Sequence, residues 1–218
     1  MNYKQTTTSL LLITSLLFAC SRPVKEEKKT NTPTSANPVA LHVGDEKYWS
    51  VDTKESVVAW KGDMQIGANG HTGYVYVSKG ELKLENDRLV GGTVEVDMNT
   101  IEDNNHGKSN GLINHLKNPD FFDVKNFPTT TIAIAEVASI NDETIKITAN
   151  LTIKGITRPV TFLATLKVKD GIANANGRLI IDRTEWGVRY KSGKFLENLA
   201  DKTISDSIEF DIKIVAKK

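Results

Sequence analysis

Between Thr144 and Lys154 the chain alternates without a break: Ile145, Ile147, Ala149, Leu151 and Ile153 stand at every second position, separated by Lys146, Thr148, Asn150 and Thr152. A period of two sends alternate side chains to opposite faces of a sheet, so this stretch predicts a strand with one apolar face and one wet face. The same pattern sets Val94, Val96 and Met98 against Thr93, Glu95 and Asp97. Near the end it sets Ile204, Asp206, Ile208, Phe210, Ile212 and Ile214 against Ser205, Ser207, Glu209, Asp211 and Lys213. Followed along the chain, it predicts eight strands, near 48–61, 71–84, 88–99, 129–138, 143–153, 160–169, 172–183 and 204–216.

The connections sort into two kinds. Short hairpin turns join strands two and three (Glu85, Asn86, Asp87), four and five (139–142) and six and seven (Asp170, Gly171). The other four connections are 62–70, 100–128, 155–159 and 184–203, all but one of them long, and in an up-and-down order they share one end. Elaborated loops on a rigid scaffold are where function concentrates. In the longest, Ser109 or Asn110 can cap a short helix whose Leu112, Ile113 and Leu116 share a face and which Pro119 ends; Asp120, Phe121, Phe122 and Phe127 follow. A loop this long and this apolar is expected to cover something, and the end of a barrel is the natural place. The fold expected is all-β: an eight-stranded antiparallel up-and-down barrel, with short helical segments in the loop between strands three and four. A barrel spanning an outer membrane also alternates. Aromatic residues at 7%, the lack of an aromatic girdle and an end in Lys217 and Lys218 oppose that reading.

The N-terminal residues break the pattern. Lys4 precedes the apolar stretch Leu10 to Phe18, which ends in Ala19 and Cys20. The stretch is well short of the roughly 20 residues a spanning helix needs. Residues 1–19 are therefore expected to be a signal peptide. The flanks resemble a bacterial lipobox, so Cys20 is expected to carry a lipid. It is the single cysteine, which excludes an internal disulfide. Residues 20–46 show no hydrophobic period and no aromatic residue before the domain and are expected to form a lipidated flexible tether, leaving 47–218 as one domain. The run Lys25 to Lys29 is either a solvated linker or a basic-acidic export signal for surface display. The expected location is the bacterial cell envelope, anchored by lipid to a membrane and facing the periplasm or displayed on the cell surface. Basic and acidic residues number 28 and 27, with no block beyond the linker, so nothing favours nucleic acid as a partner. A homodimer is left open.

Candidate chemistry is sparse. The chain has no cysteine nucleophile besides the one committed to lipid, no paired-histidine zinc motif, no Gly-x-Ser-x-Gly elbow and no phosphate loop; Gly67, Gly70 and Gly73 enter a strand rather than a helix. His42 lies in the tether, while His71, His106 and His115 fall near the long loops with separations that match no ligand set, so neither metal nor cofactor is expected. Parity is more informative. Gly177, Leu179 and Ile181 share a face with Arg183, as Ile204, Ile208 and Phe210 do with Asp206. Both charges should therefore face inward and meet near the looped end. They form either a structural ion pair or a pair whose arginine also greets the polar end of an amphiphile.

Several stretches, in order, resemble the YceI-like family of secreted polyisoprenoid-binding proteins. They are Trp49-Ser50-Val51-Asp52, His71-Thr72-Gly73, the run from His115 to Val124 with Phe127-Pro128, the run from Leu151 to Val160, and the run from Asp182 to Val188. The resemblance implies a lipocalin-like barrel that holds an isoprenoid or other lipid-like chain in an apolar tunnel. The lipobox departs from the commonest secreted form and gives this chain a membrane as a second partner. The expected function is binding, sequestering or carrying a polyisoprenoid, quinone or fatty amide without a chemical step. An enzyme acting on such lipids and a ligand-free interaction module are the alternatives. The expected wall is Ile147, Leu151, Phe162, Leu179, Ile181, Ile208 and Phe210. Phe121, Phe122, Phe127 and Trp186 are expected at the lid or mouth, with His115 and Arg183 as polar residues there.

Overall fold

The computed structural model describes residues 47–64, 70–105, 107–196 and 202–218. The signal peptide, Cys20, the tether, His42, Gly67 and His106 lie outside the described residues. Nine antiparallel strands follow in order: β1 (Lys47–Val51), β2 (Val57–Met64), β3 (Gly70–Glu85), β4 (Arg88–Asp103), β5 (Thr129–Ser139), β6 (Thr144–Ile153), β7 (Ile156–Lys169), β8 (Ile172–Asp182) and β9 (Ile204–Lys217). Each of β2 to β8 pairs with the next, and β9 pairs back on β2. The sheet is thus a closed barrel of eight positions, because β1 and β2 share one, both lying between β3 and β9. Among the described residues the ladders close on one another into a full circuit.

The first expected strand, 48–61, is two, and parity explains the break. Trp49 and Val51 face inward at odd positions, while Val58 and Trp60 face inward at even ones, and no unbroken strand does both. Residues 52–56 absorb the change. Asp52 Oδ1 accepts from the Lys54 and Glu55 amides, and buried Ser56 Oγ accepts from Val215 N at 2.9 Å and donates to Val215 O at 3.3 Å. The hydroxyl thereby supplies the acceptor that Val215 N lacks at the gap, while Val215 O also accepts from Asp52 N at 2.8 Å. A bulge in β4 is held in the same way: Tyr76 N donates to Thr100 Oγ1, which donates to Asp97 O.

Two further boundaries differ from expectation. β7 begins at Ile156, so the 155–159 connection shrinks to the turn Lys154-Gly155, with positive φ at both residues (52° and 72°). Pro159 then lies inside a strand. It is tolerated because the β7–β8 ladder stops at Leu163↔Arg178, and the open-end part of β7 beyond that point makes no ladder with β8. Arg183 is not in a strand but starts a 3-10 turn, Arg183–Trp186, capped by the Asp182 side chain. In the long loop a short helix, α1 (Gly111–Leu116), has Asn110 as its cap, its side chain accepting from Ile113 N at 2.9 Å.

The strands point apolar residues inward and charges such as Glu81, Lys146, Lys167, Arg178 and Lys213 outward. That is the inverse of a lipid-spanning barrel. Two apolar clusters result. One fills the stitched end around Trp49, Leu82, Leu84, Leu89 and Ala173; the other joins α1 and the long loop (Ile113, Leu116, Phe121, Val124) to Trp60, Val75, Val96 and Met98.

Candidate functional site

A cavity of about 510 Å³ runs inside the barrel between these clusters. Leu82 and Leu89, beside the β3–β4 turn, line its inner end, and Ile204, Leu112 and Leu116 line its outer end. From Leu82 to His71, β3 climbs roughly 28 Å along the barrel axis, at about 3.3 Å per residue and about 40° of tilt. Residues from both ends of the barrel line the space, so its lining runs along the barrel rather than sitting at one rim.

Its walls are apolar along β2 to β9, with Val75, Val96, Ile132, Ile134 and Ile212 beside Ile147, Leu151, Phe162, Leu179, Ile208 and Phe210. Gly177 makes room for one of them: a Cβ there would lie 2.9 Å from the Phe162 ring. Titratable side chains on the lining collect at the looped end, as Asp63, His71, His115, Arg183 and Lys191. Most are already engaged. Asp63 lies 3.2 Å from Lys61, and His71 Nδ1 lies 3.5 Å from Asp103. Lys191 stands 5.4 Å over the Tyr190 ring.

Arg183 is 1% exposed, and its guanidinium donates to Val188 O at 2.8 Å, Ser205 O at 2.9 Å, Ile204 O at 3.2 Å and Asp206 Oδ1 at 3.3 Å. Burial pushes it below the usual arginine range, while Asp206 and Asp182 act the other way. It therefore ties β9 to the turn after β8 and has one donor left from five.

The lid is an aromatic cluster. His115 meets Phe121 at 5.0 Å and Tyr190 at 4.5 Å between ring centroids, Phe121 meets Tyr190 at 5.3 Å, and Phe122 packs beside them. Lys154 Nζ donates to Pro119 O at 2.6 Å and Lys117 Nζ to Asn99 O at 2.9 Å, fastening the lid to the barrel.

The structure thus brings Phe121, Phe122, His115, Arg183, Ile147, Leu151, Phe162, Leu179, Ile208 and Phe210 to one cavity and leaves three candidate residues off its lining. Ile181 is buried in the core cluster. Phe127 packs over Gly155, where a Cβ would be 2.7 Å from its ring. Trp186 is not at the mouth. It is buried where β7 and β8 leave their ladder, with Nε1 donating to Leu151 O at 3.1 Å, and so seals the wall. Sequence reasoning missed Trp60, Met98 and Tyr190. The first two sit at inward parity and were legible; Tyr190 lies in a loop without any period.

The description "YceI-like domain" matches residues 49–216, most of the chain and nearly all of the barrel. The chain belongs to the YceI-like family. Among relatives, a UPF0312 protein of Pseudomonas putida is 30% identical over 102 residues, covering 44% of this chain and 52% of that protein. A UPF0312 protein of Shewanella denitrificans is 28% identical over 134 residues, covering 58% and 64%. The chain thus spans about half to two thirds of the length of these curated relatives. Burkholderia cenocepacia BcnA superposes on this YceI-like barrel with a TM-score of 0.61 at 18% identity, over 77% of this chain and 99% of that one. A polyisoprenoid binding domain from Saccharophagus degradans, implicated in plant cell wall breakdown, gives 0.55 at 13% identity, over 78% and 97%. These two likenesses establish the shared fold.

Proposed function

We propose that this protein is a membrane-tethered carrier or sequestering protein for one long apolar molecule with an uncharged polar end, such as a polyisoprenoid, a quinone or a fatty amide. The observation that carries this reading is an apolar cavity, lined along the barrel, whose titratable lining residues gather at one end. Arg183 spends four donors on the protein itself, and Asp63 and His71 lie against Lys61 and Asp103, so among the described residues the lining gathers no cluster of free cations around an anionic head group. The name of the Saccharophagus neighbour supports the ligand class. The lipobox-like flank of Cys20 supports attachment to an envelope membrane through a tether of residues 20–46. Holding such a chain requires no bond to be made or broken.

Native mass spectrometry of protein made in its own host tests the reading. A co-purifying lipid of discrete mass is expected, together with a lipid-modified Cys20. Turnover of that lipid would replace the carrier by an enzyme, and an unliganded, unmodified protein would overturn both halves of the proposal.

A further inference from the structure

Eight large apolar side chains are exposed among the described residues, and Phe195 and Leu196 are an adjacent pair at the looped end, 48% and 47% exposed. They belong to the β8–β9 connection, whose inner side is cavity wall: Tyr190 and Lys191 line the cavity, and Val188 is fully buried in the lid cluster. The tip is fixed. Phe195 N and Leu196 N donate to Ser192 O at 3.2 and 3.1 Å, Ser192 N donates to Arg189 O at 3.0 Å, and Ser192 is fully buried. Two large apolar side chains are therefore presented to the outside on a hydrogen-bonded turn beside the mouth.

We propose that Phe195 and Leu196, with Arg189 and Lys191, form an interfacial docking site that seats the mouth of the cavity on a phospholipid bilayer. A ligand then passes between bilayer and barrel without crossing water. The inference rests on the carrier reading for its purpose but on its own residues for its chemistry. Across the connection, residues 183–203, stand Arg183, Arg189, Lys191, Lys194 and Lys202 against Glu185, Glu197 and Asp201, and the cations fall nearer the Phe195 side. Arg183 and Lys194 are committed to Asp206 and Asp182. Arg189 lies 4.4 Å over the Phe195 ring, its charge beside an apolar group, as interfacial side chains sit when the ring enters the acyl boundary and the cation stays at the phosphates. A bilayer fits better than a protein. A specific protein interface needs about 800 Å² per partner, more than two side chains supply, whereas a fluid interface closes around whatever is inserted.

The test uses residues 47–218, which contain the closed circuit of ladders among the described residues and exclude Cys20, with vesicles of phosphatidylcholine with and without phosphatidylglycerol. Wild type should co-sediment, more so with phosphatidylglycerol. The double substitution Phe195→Ser, Leu196→Ser should lower partitioning about tenfold at an unchanged melting temperature, and Phe195→Leu should retain it. Arg189→Gln should weaken only the phosphatidylglycerol-dependent part. Equal partitioning of the double variant and wild type would overturn the proposal, as would wild type that stays off vesicles. It would also fall if the double substitution changed the assembly mass in solution and not vesicle binding, which would assign the patch to a second copy. Binding of geranylgeraniol without vesicles reads the carrier function separately. Its absence alongside intact vesicle docking would remove the carrier reading and leave the docking site.

Discussion

At the stitched end of the barrel Trp49, Leu84 and Ala173 are all at least 97% buried, whereas Phe122, Ile208 and Phe210 point inward at the looped end yet keep part of their surface. Both groups lie on a lining set by the same alternation, so period alone does not separate a packed core from a ligand wall. What separates them is closure. Tight turns bring the strands of the stitched end together and their side chains meet, while the lid spans the other end from outside and leaves the space beneath it apolar and open. The residual accessibility of the second group is access to the inside of the barrel.

The largest effect that can break this contrast comes from Arg183. Arg183→Leu should cost about 3–5 kcal/mol in urea unfolding, because it leaves three carbonyls and Asp206 without their buried partner. A cost below about 1 kcal/mol would return the arginine to the ligand. Next, Leu84→Ala should cost about 3 kcal/mol, but Ile208→Ala only about 1 kcal/mol, since a side chain facing a void loses fewer contacts. Equal costs would mean that the looped end is packed like the other. Smaller still, Gly177→Ala should cost under about 1.5 kcal/mol while driving the Phe162 ring into the cavity, so that retention of an apolar ligand falls about tenfold with little change in melting temperature. Unchanged retention would place the ligand elsewhere.

The smallest expected effect is a titration at the stitched end. A hydrogen bond from Lys217 holds the Asp52 carboxyl below the ordinary carboxylate range. A carboxylate lowered by folding contributes stability above its unfolded value of about 3.9 and loses it as pH falls through the folded value. Asp52→Asn should therefore lower the urea midpoint at neutral pH and converge on wild type at the acid end, where the wild-type carboxyl is protonated, so that part of the acid limb flattens. A parallel shift at every pH would show that the contact acts by packing rather than by charge.

Much of this architecture was legible. The even run from Lys146 to Thr152 against Ile145 to Ile153 gave β6, and the parity that turned Arg183 and Asp206 inward is realised as a pair 3.3 Å apart. The break between β1 and β2 was readable too, since inward Trp49 and Val51 clash in parity with Val58 and Trp60, but a hydrophobic run hides that clash unless each face is followed separately. Other features carried no local signal. Pro159 argued for a connection because the lapse of the β7–β8 ladder is a tertiary fact, and the same lapse draws Trp186 from the expected mouth into the wall. Tyr190 joins the lid through a loop whose course is set by Arg183, 5 residues distant from its partner Val188.

The central claim is that the barrel measures out a single apolar chain, and a homologous series of straight-chain alcohols tests it most directly. Binding to residues 47–218 should strengthen by about 0.8 kcal/mol for each added methylene and then level off once the chain fills the cavity. Affinity that stays flat from the shortest alcohol to the longest would contradict the account.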